Sequence, residues 1–101
     1  MTLAVVYRRQ VGRDLAAALD HYEAQSRGLG EKFLGAVTSG FEAIGRYPQM
    51  FAAVHGEVRR AILSDFPYAV FYRIEARRVV VLAVVHTARD PRLWPRPRRG
   101  A

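Results

Sequence analysis

The chain has 101 residues, half of them hydrophobic and a quarter charged, which is typical of one globular domain with its own core. No apolar run reaches the roughly 18 residues of a membrane-spanning helix, and the absence of cysteine excludes thiolate catalysis and zinc–thiolate sites. The N-terminal residues lack the charged lead and small-residue cleavage site of a secretory signal, so we expect a cytoplasmic protein with no membrane partner.

The formal net charge of +7 is concentrated in the C-terminal half of the chain. Residues 51–101 carry ten arginines against four acidic residues, whereas residues 1–50 carry six basic against five acidic side chains. Fifteen of the sixteen cations are arginine, whose planar guanidinium makes bidentate contacts with carboxylates and phosphates. The charge therefore favours an acidic protein or a nucleic acid as partner.

The N-terminal half predicts one strand followed by a helical hairpin. The apolar run over residues 3–7 is typical of a short strand. Apolar residues then recur every three or four positions over residues 11–26 and again over residues 31–47, which predicts two amphipathic helices. Gly28 and Gly30 lie between them and supply a helix stop and a tight connection. Two helices joined so closely are expected to pack as an antiparallel hairpin.

The C-terminal half predicts a loop over residues 49–56 and then three strands, over residues 58–63, 68–74 and 79–85. The last strand is purely aliphatic, which is typical of a strand buried on both faces. This arrangement predicts an α+β fold of order β-α-α-β-β-β, in which the helical hairpin packs on one face of a small, mainly antiparallel sheet. We expect a single domain over residues 1–94 and a tail rich in proline and arginine over residues 95–101.

Polar and aromatic side chains follow the last predicted strand directly. Strand ends commonly deliver functional side chains to the surface, and His86, Arg89 and Arg92 lie there. Each has a structural alternative: His86 can hydrogen-bond a loop carbonyl, and Arg89 can pair with Asp90. Trp94 either packs back on the sheet or forms an anchor for a partner.

Four segments, taken in their order along the chain, carry a family resemblance. They are residues 47–48 (YP), 58–62 (VRRAI), 68–74 (YAVFYRI) and 84–91 (VVHTARDP). Together they resemble the ParE/RelE superfamily of toxins from bacterial type II toxin-antitoxin modules, and the last two are most similar to the ParE branch. The resemblance covers about residues 3–94 and implies a RelE/ParE-like fold. We expect no metal and no cofactor.

The resemblance implies a toxin that is neutralised by a cognate antitoxin, which is acidic and partly disordered when free. ParE-branch members act on DNA gyrase, so we expect this chain to bind and poison gyrase without performing chemistry. The expected target-binding residues are basic or aromatic and lie near the C-terminus: Arg89, Arg92, Trp94, Arg96, Arg98 and Arg99. The expected antitoxin-binding residues are apolar and belong to the hairpin and the following loop: Leu29, Phe33, Met50 and Phe51.

The alternative function is that of RelE-branch members, which cut messenger RNA in the ribosome. Such cleavage needs a group for proton transfer and cations beside the phosphate, roles that His86, Arg60 and Arg89 can fill. RelE-type nucleases usually add lysines or an acid and a stacking aromatic, whereas here Lys32 lies far off and Thr87 follows the histidine. The residues therefore favour a non-enzymatic toxin. Direct sequence-specific binding of nucleic acid is not expected.

Overall fold

The computed structural model describes residues 2–88 and 91–95 of the chain. Its elements are β1 (Ala4–Tyr7), α1 (Arg9–Gln25), α2 (Leu29–Arg46), β2 (Ala53–His55), β3 (Val58–Ile62), β4 (Tyr68–Glu75), β5 (Arg78–His86) and a 3₁₀ turn (Pro91–Leu93). The predicted α+β fold is confirmed, and so are both helices and the four predicted strands, each within about two residues. Across these residues, no helix combines the length and apolar character of a membrane span.

The five strands form one sheet in the order β1-β5-β4-β3-β2. β1 runs parallel to β5, and every other neighbouring pair is antiparallel, which confirms the mainly antiparallel sheet. The assignment of residues 49–56 to a loop was wrong in part, because β2 lies within them and pairs with β3. A three-residue edge strand is too short to show the alternation by which strands are recognised.

Both helices pack on one face of the sheet, which we call the helix face. Val11, Ala18 and Tyr22 of α1, at helical spacing, are buried there together with Phe33 and Ile44 of α2. The centre of this core is an aromatic cluster with ring centroids 5.0 to 6.0 Å apart, edge or tilted contacts that aromatic pairs prefer. The cluster consists of Tyr22, Phe33, Phe66 and Tyr68.

The turn that joins the two helices is stabilised by the carboxylate of Glu23. Glu23 accepts hydrogen bonds from the backbone N–H groups of Gly28 at 3.1 Å and Gly30 at 3.0 Å, which satisfies donors at the start of α2. Gly28 has a φ of 88°, a conformation that glycine adopts without strain. The turn therefore depends on these few residues, and it sets the antiparallel packing of α1 on α2.

A bulge in β5 determines which side chains face the helices. Phe71 pairs with Ala83 and Tyr72 with Val81, so Leu82 is an extra residue in the strand. As a result Leu82 and Ala83 both point away from the helices, and the alternation restarts beyond them. Bulges of this kind reorient side chains within a sheet.

A hydrogen bond to the Asp14 side chain links the strand beside the bulge to α1. The backbone N–H of Val84 donates to Asp14 Oδ2 at 3.0 Å. β1 pairs with β5 only as far as Val81, so Val84 takes its acceptor from the helix instead. This hydrogen bond joins α1 to the end of β5 that lies closest to the predicted functional residues.

The opposite face of the sheet, which we call the outer face, has a second apolar cluster. It contains Val58, Ala69, Phe71, Val80, Leu82, Ala83 and Val85, with Val54 and Trp94 packed against it. Residues 79–85 are therefore buried on both faces, with at most 8% of any side chain exposed, which confirms the prediction for this strand. Arg73, 5% exposed on the same face, pairs through Nε with Glu75 at 3.0 Å.

Candidate functional site

The predicted target-binding residues are only partly within the described chain. Arg89, Arg96, Arg98 and Arg99 lie outside the described residues. Arg92 is exposed in the 3₁₀ turn, and Trp94 follows it half-buried. The structure therefore describes the start of the predicted surface, at the point where the chain leaves the sheet.

Trp94 packs back on the outer face, which is one of the two alternatives for this residue. Its ring centroid lies 5.2 Å from that of Phe71, and the Arg60 guanidinium carbon lies 5.1 Å from the indole centroid. Arg60 and Phe71 are cross-strand partners on β3 and β4, so the sheet register places both beside the indole. A cation held over a tryptophan face is attracted by the ring electrons, and this contact orients Arg60.

These side chains form a cavity of about 240 Å³ on the outer face, which we call the outer pocket. Its wall comes from the ends of three strands and from the segment after the 3₁₀ turn, and most of it is apolar. The polar groups belong to Arg60, His86 and Thr87. The lining residues are Arg60, Ile62, Ala69, Phe71, Val85, His86, Thr87 and Trp94.

His86 is held by its neighbours rather than presented as a base. Its ring lies 5.1 Å from that of Tyr68, and its Nδ1 accepts a hydrogen bond from the backbone N–H of Ala88 at 3.0 Å. The expected partner was a loop carbonyl; the observed partner is a loop N–H. Because Nδ1 is the acceptor, this geometry assigns the proton of the neutral ring to Nε2.

The residues of the endonuclease alternative are only partly assembled. Arg60 and His86 both line the outer pocket, whereas Arg89 lies outside the described residues. In this structure the His86 Nδ1 is occupied by the backbone N–H of Ala88, so the ring would have to give up that hydrogen bond to accept a proton from a 2′-hydroxyl. The described part of the site brings a cation and a histidine together beside an apolar wall, which suits the binding of an anion.

The tyrosines with shifted pKa values lie in the helix-face core and not at the outer pocket. Burial raises the pKa of Tyr72 to about 12, although the nearby Arg59 charge opposes the shift. The Tyr72 hydroxyl donates to the carbonyl of Pro48 at 2.6 Å. Burial also raises the pKa of Tyr22, and repulsion from Tyr68 adds to the effect. Perturbed pKa values often mark catalytic sites, but these follow from packing.

The predicted antitoxin-binding residues differ widely in exposure. Phe33 is fully buried in the aromatic cluster, so its side chain is not exposed to a partner. Helical periodicity alone could not show this, because core positions and contact positions have the same spacing. Leu29 and Phe51 are half-buried, and Met50 is 65% exposed. Arg59 donates to the carbonyl of Phe51 at 2.7 Å, which holds the loop that carries Met50.

A larger apolar opening lies elsewhere, between α2 and the edge strand β1, and sequence reasoning missed it. This helix–strand groove has a volume of about 420 Å³. Tyr7 is 60% exposed at its rim and Leu34 is 38% exposed. The available signal was the adjacent pair Phe33 and Leu34, which point about 100° apart on a helix and cannot both face the sheet. Its lining residues are Thr2, Val5, Tyr7, Leu15, Leu34, Val37, Thr38, Phe41, Glu42 and Gly45.

One end of the helix–strand groove depends on a glycine. The backbone N–H of Leu3 donates to the Gly45 carbonyl at 2.9 Å. A Cβ at Gly45 would lie 3.0 Å from the Leu3 carbonyl oxygen and 3.0 Å from Val5 Cγ2. β1 therefore lies directly on the end of α2. Because β1 is the last strand in the sheet order, its outer edge pairs with no other strand in the described chain.

Comparisons with known proteins agree with this architecture. The family model for the "ParE toxin of type II toxin-antitoxin system, parDE" matches residues 5–91. A solved structure, "Chromosomal ParDE TA system from P. aeruginosa", is similar with a TM-score of 0.74 and 17% identity, over 84% of this chain and 96% of that chain. A search of the curated proteins gives no significant match. The structural likeness supports the fold, and the family match runs from the second residue of β1 through both helices and the other four strands.

Proposed function

Because the chain belongs to the ParE toxin family of type II toxin-antitoxin systems, we propose that it poisons DNA gyrase by binding and is held inactive by a cognate antitoxin. The match over residues 5–91 is the observation that carries this proposal. Gyrase is the target that the ParE branch implies. The antitoxin follows from the two-component nature of the family.

The side chains at the predicted target surface support binding rather than catalysis. The pocket beside this surface contains one half-buried arginine and a histidine whose Nδ1 is already engaged. Inhibition by binding needs only a complementary surface, and Trp and Arg are over-represented among residues that dominate binding energy. Arg92 and Trp94 are of these types, and arginines follow at positions 96, 98 and 99.

We place the antitoxin contact at the helix–strand groove. Its exposed Tyr7 and Leu34 fit an apolar segment, and the free edge of β1 offers backbone hydrogen bonds to an extended one. Arg8, Arg9 and Arg46 are exposed at the ends of the elements beside the groove. An acidic antitoxin matches these charges and the net +7, which speeds association.

Two assays on the purified full-length toxin separate this function from the endonuclease alternative. The first measures supercoiling by DNA gyrase, and the second measures cleavage of messenger RNA bound to ribosomes. We expect loss of supercoiling at toxin concentrations that leave the message intact. Cleavage of the message with undisturbed gyrase activity would reverse this conclusion.

Deletion of residues 95–101 tests the target surface. We expect the truncated toxin to lose gyrase inhibition by at least ~10-fold, because several arginines are removed and one lost charged contact accounts for about 1.4 kcal/mol. Antitoxin affinity should not change, because the groove lies on other elements. The matched control replaces three exposed cations of the hairpin with glutamine, Arg13, Arg27 and Lys32, and should keep full inhibition. Full inhibition by the truncated toxin would exclude the tail as the contact.

A further inference from the structure

Arg60 is a half-buried cation that has no acidic partner among the described residues. Across residues 2–88 and 91–95, no carboxylate lies within ion-pair distance of its guanidinium. Arg73, on the same face of the sheet, differs in this respect because Glu75 lies 3.0 Å from its Nε. A partly desolvated charge is stabilised by a counter-charge. Trp94 supplies only the weaker attraction of its ring.

The cavity beside Arg60 is suited to a small apolar group. Its volume of about 240 Å³ is below the ~300 Å³ at which pockets for drug-sized ligands begin, so it accommodates side chains rather than a whole nucleotide. Phe71 and Val85 form buried parts of the wall, and Ile62 is 53% exposed at its edge. The apolar wall and the cation thus adjoin each other.

A nucleobase fits this arrangement poorly. Proteins that bind single strands offer aromatic faces on which bases stack. The Trp94 ring already contacts Phe71 and carries the Arg60 guanidinium over its face. A base would have to displace Arg60, which among the described residues is the arginine that lines the outer pocket. A phosphate alone would leave the apolar wall without a contact.

We propose that the outer pocket binds a protein segment in which an apolar side chain lies next to a carboxylate. The carboxylate would receive charge-assisted hydrogen bonds from Arg60, and the apolar side chain would pack against Ile62 and Phe71. The site lies on the outer face, whereas the helix–strand groove lies between α2 and β1. The proposal concerns the chemistry of the segment and does not depend on gyrase being the target.

The only tryptophan of the chain lies in this pocket, so its fluorescence reports occupancy directly. The full-length toxin is titrated with N-acetyl-leucine, which carries an apolar side chain beside a carboxylate, and with N-acetyl-leucinamide, which lacks the charge. We expect a saturable change in Trp94 emission with the acid. The amide should bind at least ~10-fold more weakly, because the charge-assisted hydrogen bonds are lost.

Two variants locate the effect. Arg60→Gln keeps a hydrogen-bonding side chain without the charge and should bind the acid and the amide equally. Arg13→Gln removes an exposed cation of α1 and should titrate like the unchanged protein. If Arg60→Gln fails to fold, the comparison of the acid and the amide on the unchanged protein still tests whether the pocket requires a carboxylate.

Three results would overturn the proposal. The first is equal binding of the acid and the amide by the unchanged protein. The second is an unaltered preference for the acid in a folded Arg60→Gln variant. The third is a stronger response to inorganic phosphate or to a thymidine oligonucleotide than to N-acetyl-leucine, which would make the outer pocket a phosphate site.

Discussion

The two faces of the sheet are built from the same strands but are covered in different ways. On the helix face, two long helices bury a continuous core around the cluster of Tyr22, Phe33, Phe66 and Tyr68. On the outer face, the described cover consists of individual side chains: Val54 and Trp94 pack on the apolar cluster, and Arg60 lies over the Trp94 ring. The helix face is therefore scaffold, whereas the outer face keeps a cation and an aromatic ring near solvent.

The difference teaches that burial alone does not identify scaffold. Val81 and Leu82 are both buried, on opposite faces of β5. A substitution at Val81 would disturb the core beneath the helices, whereas one at Leu82 would disturb the apolar cluster on the outer face. Four substitutions test the contrast, and their expected effects decrease from the helix face to the outer face.

The largest effect is expected for Phe33→Ala. Removing this fully buried ring should lower the free energy of unfolding by about 3–5 kcal/mol, through lost burial and a residual cavity. Urea unfolding followed by circular dichroism measures the change. The control is the next residue: Leu34 is 38% exposed in the groove, and Leu34→Ala should cost less than ~1 kcal/mol. Equal losses would contradict the assignment of these neighbours to core and groove.

Asp14→Ala should have the second largest effect. The variant leaves the N–H of Val84 without its acceptor at the end of the bulge, and an unsatisfied buried donor costs about 1–3 kcal/mol. Asp14→Asn retains an acceptor oxygen and should lose less. The same urea titrations compare the two variants, and equal losses would show that the hydrogen bond to β5 is not the cause.

Tyr72→Phe removes a hydrogen bond within the helix-face core and should cost about 1 kcal/mol at neutral pH. The substitution should also change how the free energy of unfolding depends on pH above neutrality. The folded pKa of about 12 lies above the ordinary value of 10.0, so the unfolded chain loses this proton first. The contribution of the protonated Tyr72 hydroxyl to the free energy of unfolding is complete below pH 10 and is lost as pH rises towards 12.

Unfolding titrations between pH 8 and 11 measure this slope, which should be shallower in Tyr72→Phe than in the unchanged protein. Tyr47→Phe, at a tyrosine that is 52% exposed, is the matched control and should keep the original slope. A control as shallow as Tyr72→Phe would mean that the slope does not come from the buried hydroxyl.

The smallest effect is expected on the outer face, for Arg60→Gln. The variant loses the contact with the Trp94 ring, which is worth about 0.5–1 kcal/mol at a partly exposed site. Thermal unfolding measures it. A loss as large as that of Phe33→Ala would mean that Arg60 is a structural element of the fold, and the contrast between the two faces would fail.

Much of the fold was predictable because its elements have long periodic patterns. Both helices and the strand over residues 79–85 were recognised from apolar spacing, which repeats several times in each. β2 was missed because three residues cannot show a period. The positions of the ends shifted by one or two residues, since helix and strand ends depend on local hydrogen bonds such as those of Glu23.

The candidate site was less predictable. The two alternatives for Trp94 were not separable from sequence, because its partners Arg60 and Phe71 lie 34 and 23 positions earlier. The helix–strand groove was missed for a related reason. Its two sides, around Tyr7 and Leu34, come from elements separated by a whole helix, and periodicity describes one element at a time.

By itself, the sequence determined the two helices, the long strands, the excess of arginine in the second half and the family. The helices, the strands and the excess of arginine follow from local spacing and composition, and the family follows from the resemblance of four segments; none of them depends on contacts between distant residues. Only the tertiary structure decided that β1 lies beside β5, that a bulge divides β5 between two faces, and that Arg60 lies over Trp94. Each of these is a contact between distant segments, and its energy depends on packing and register that exist only once the sheet has formed.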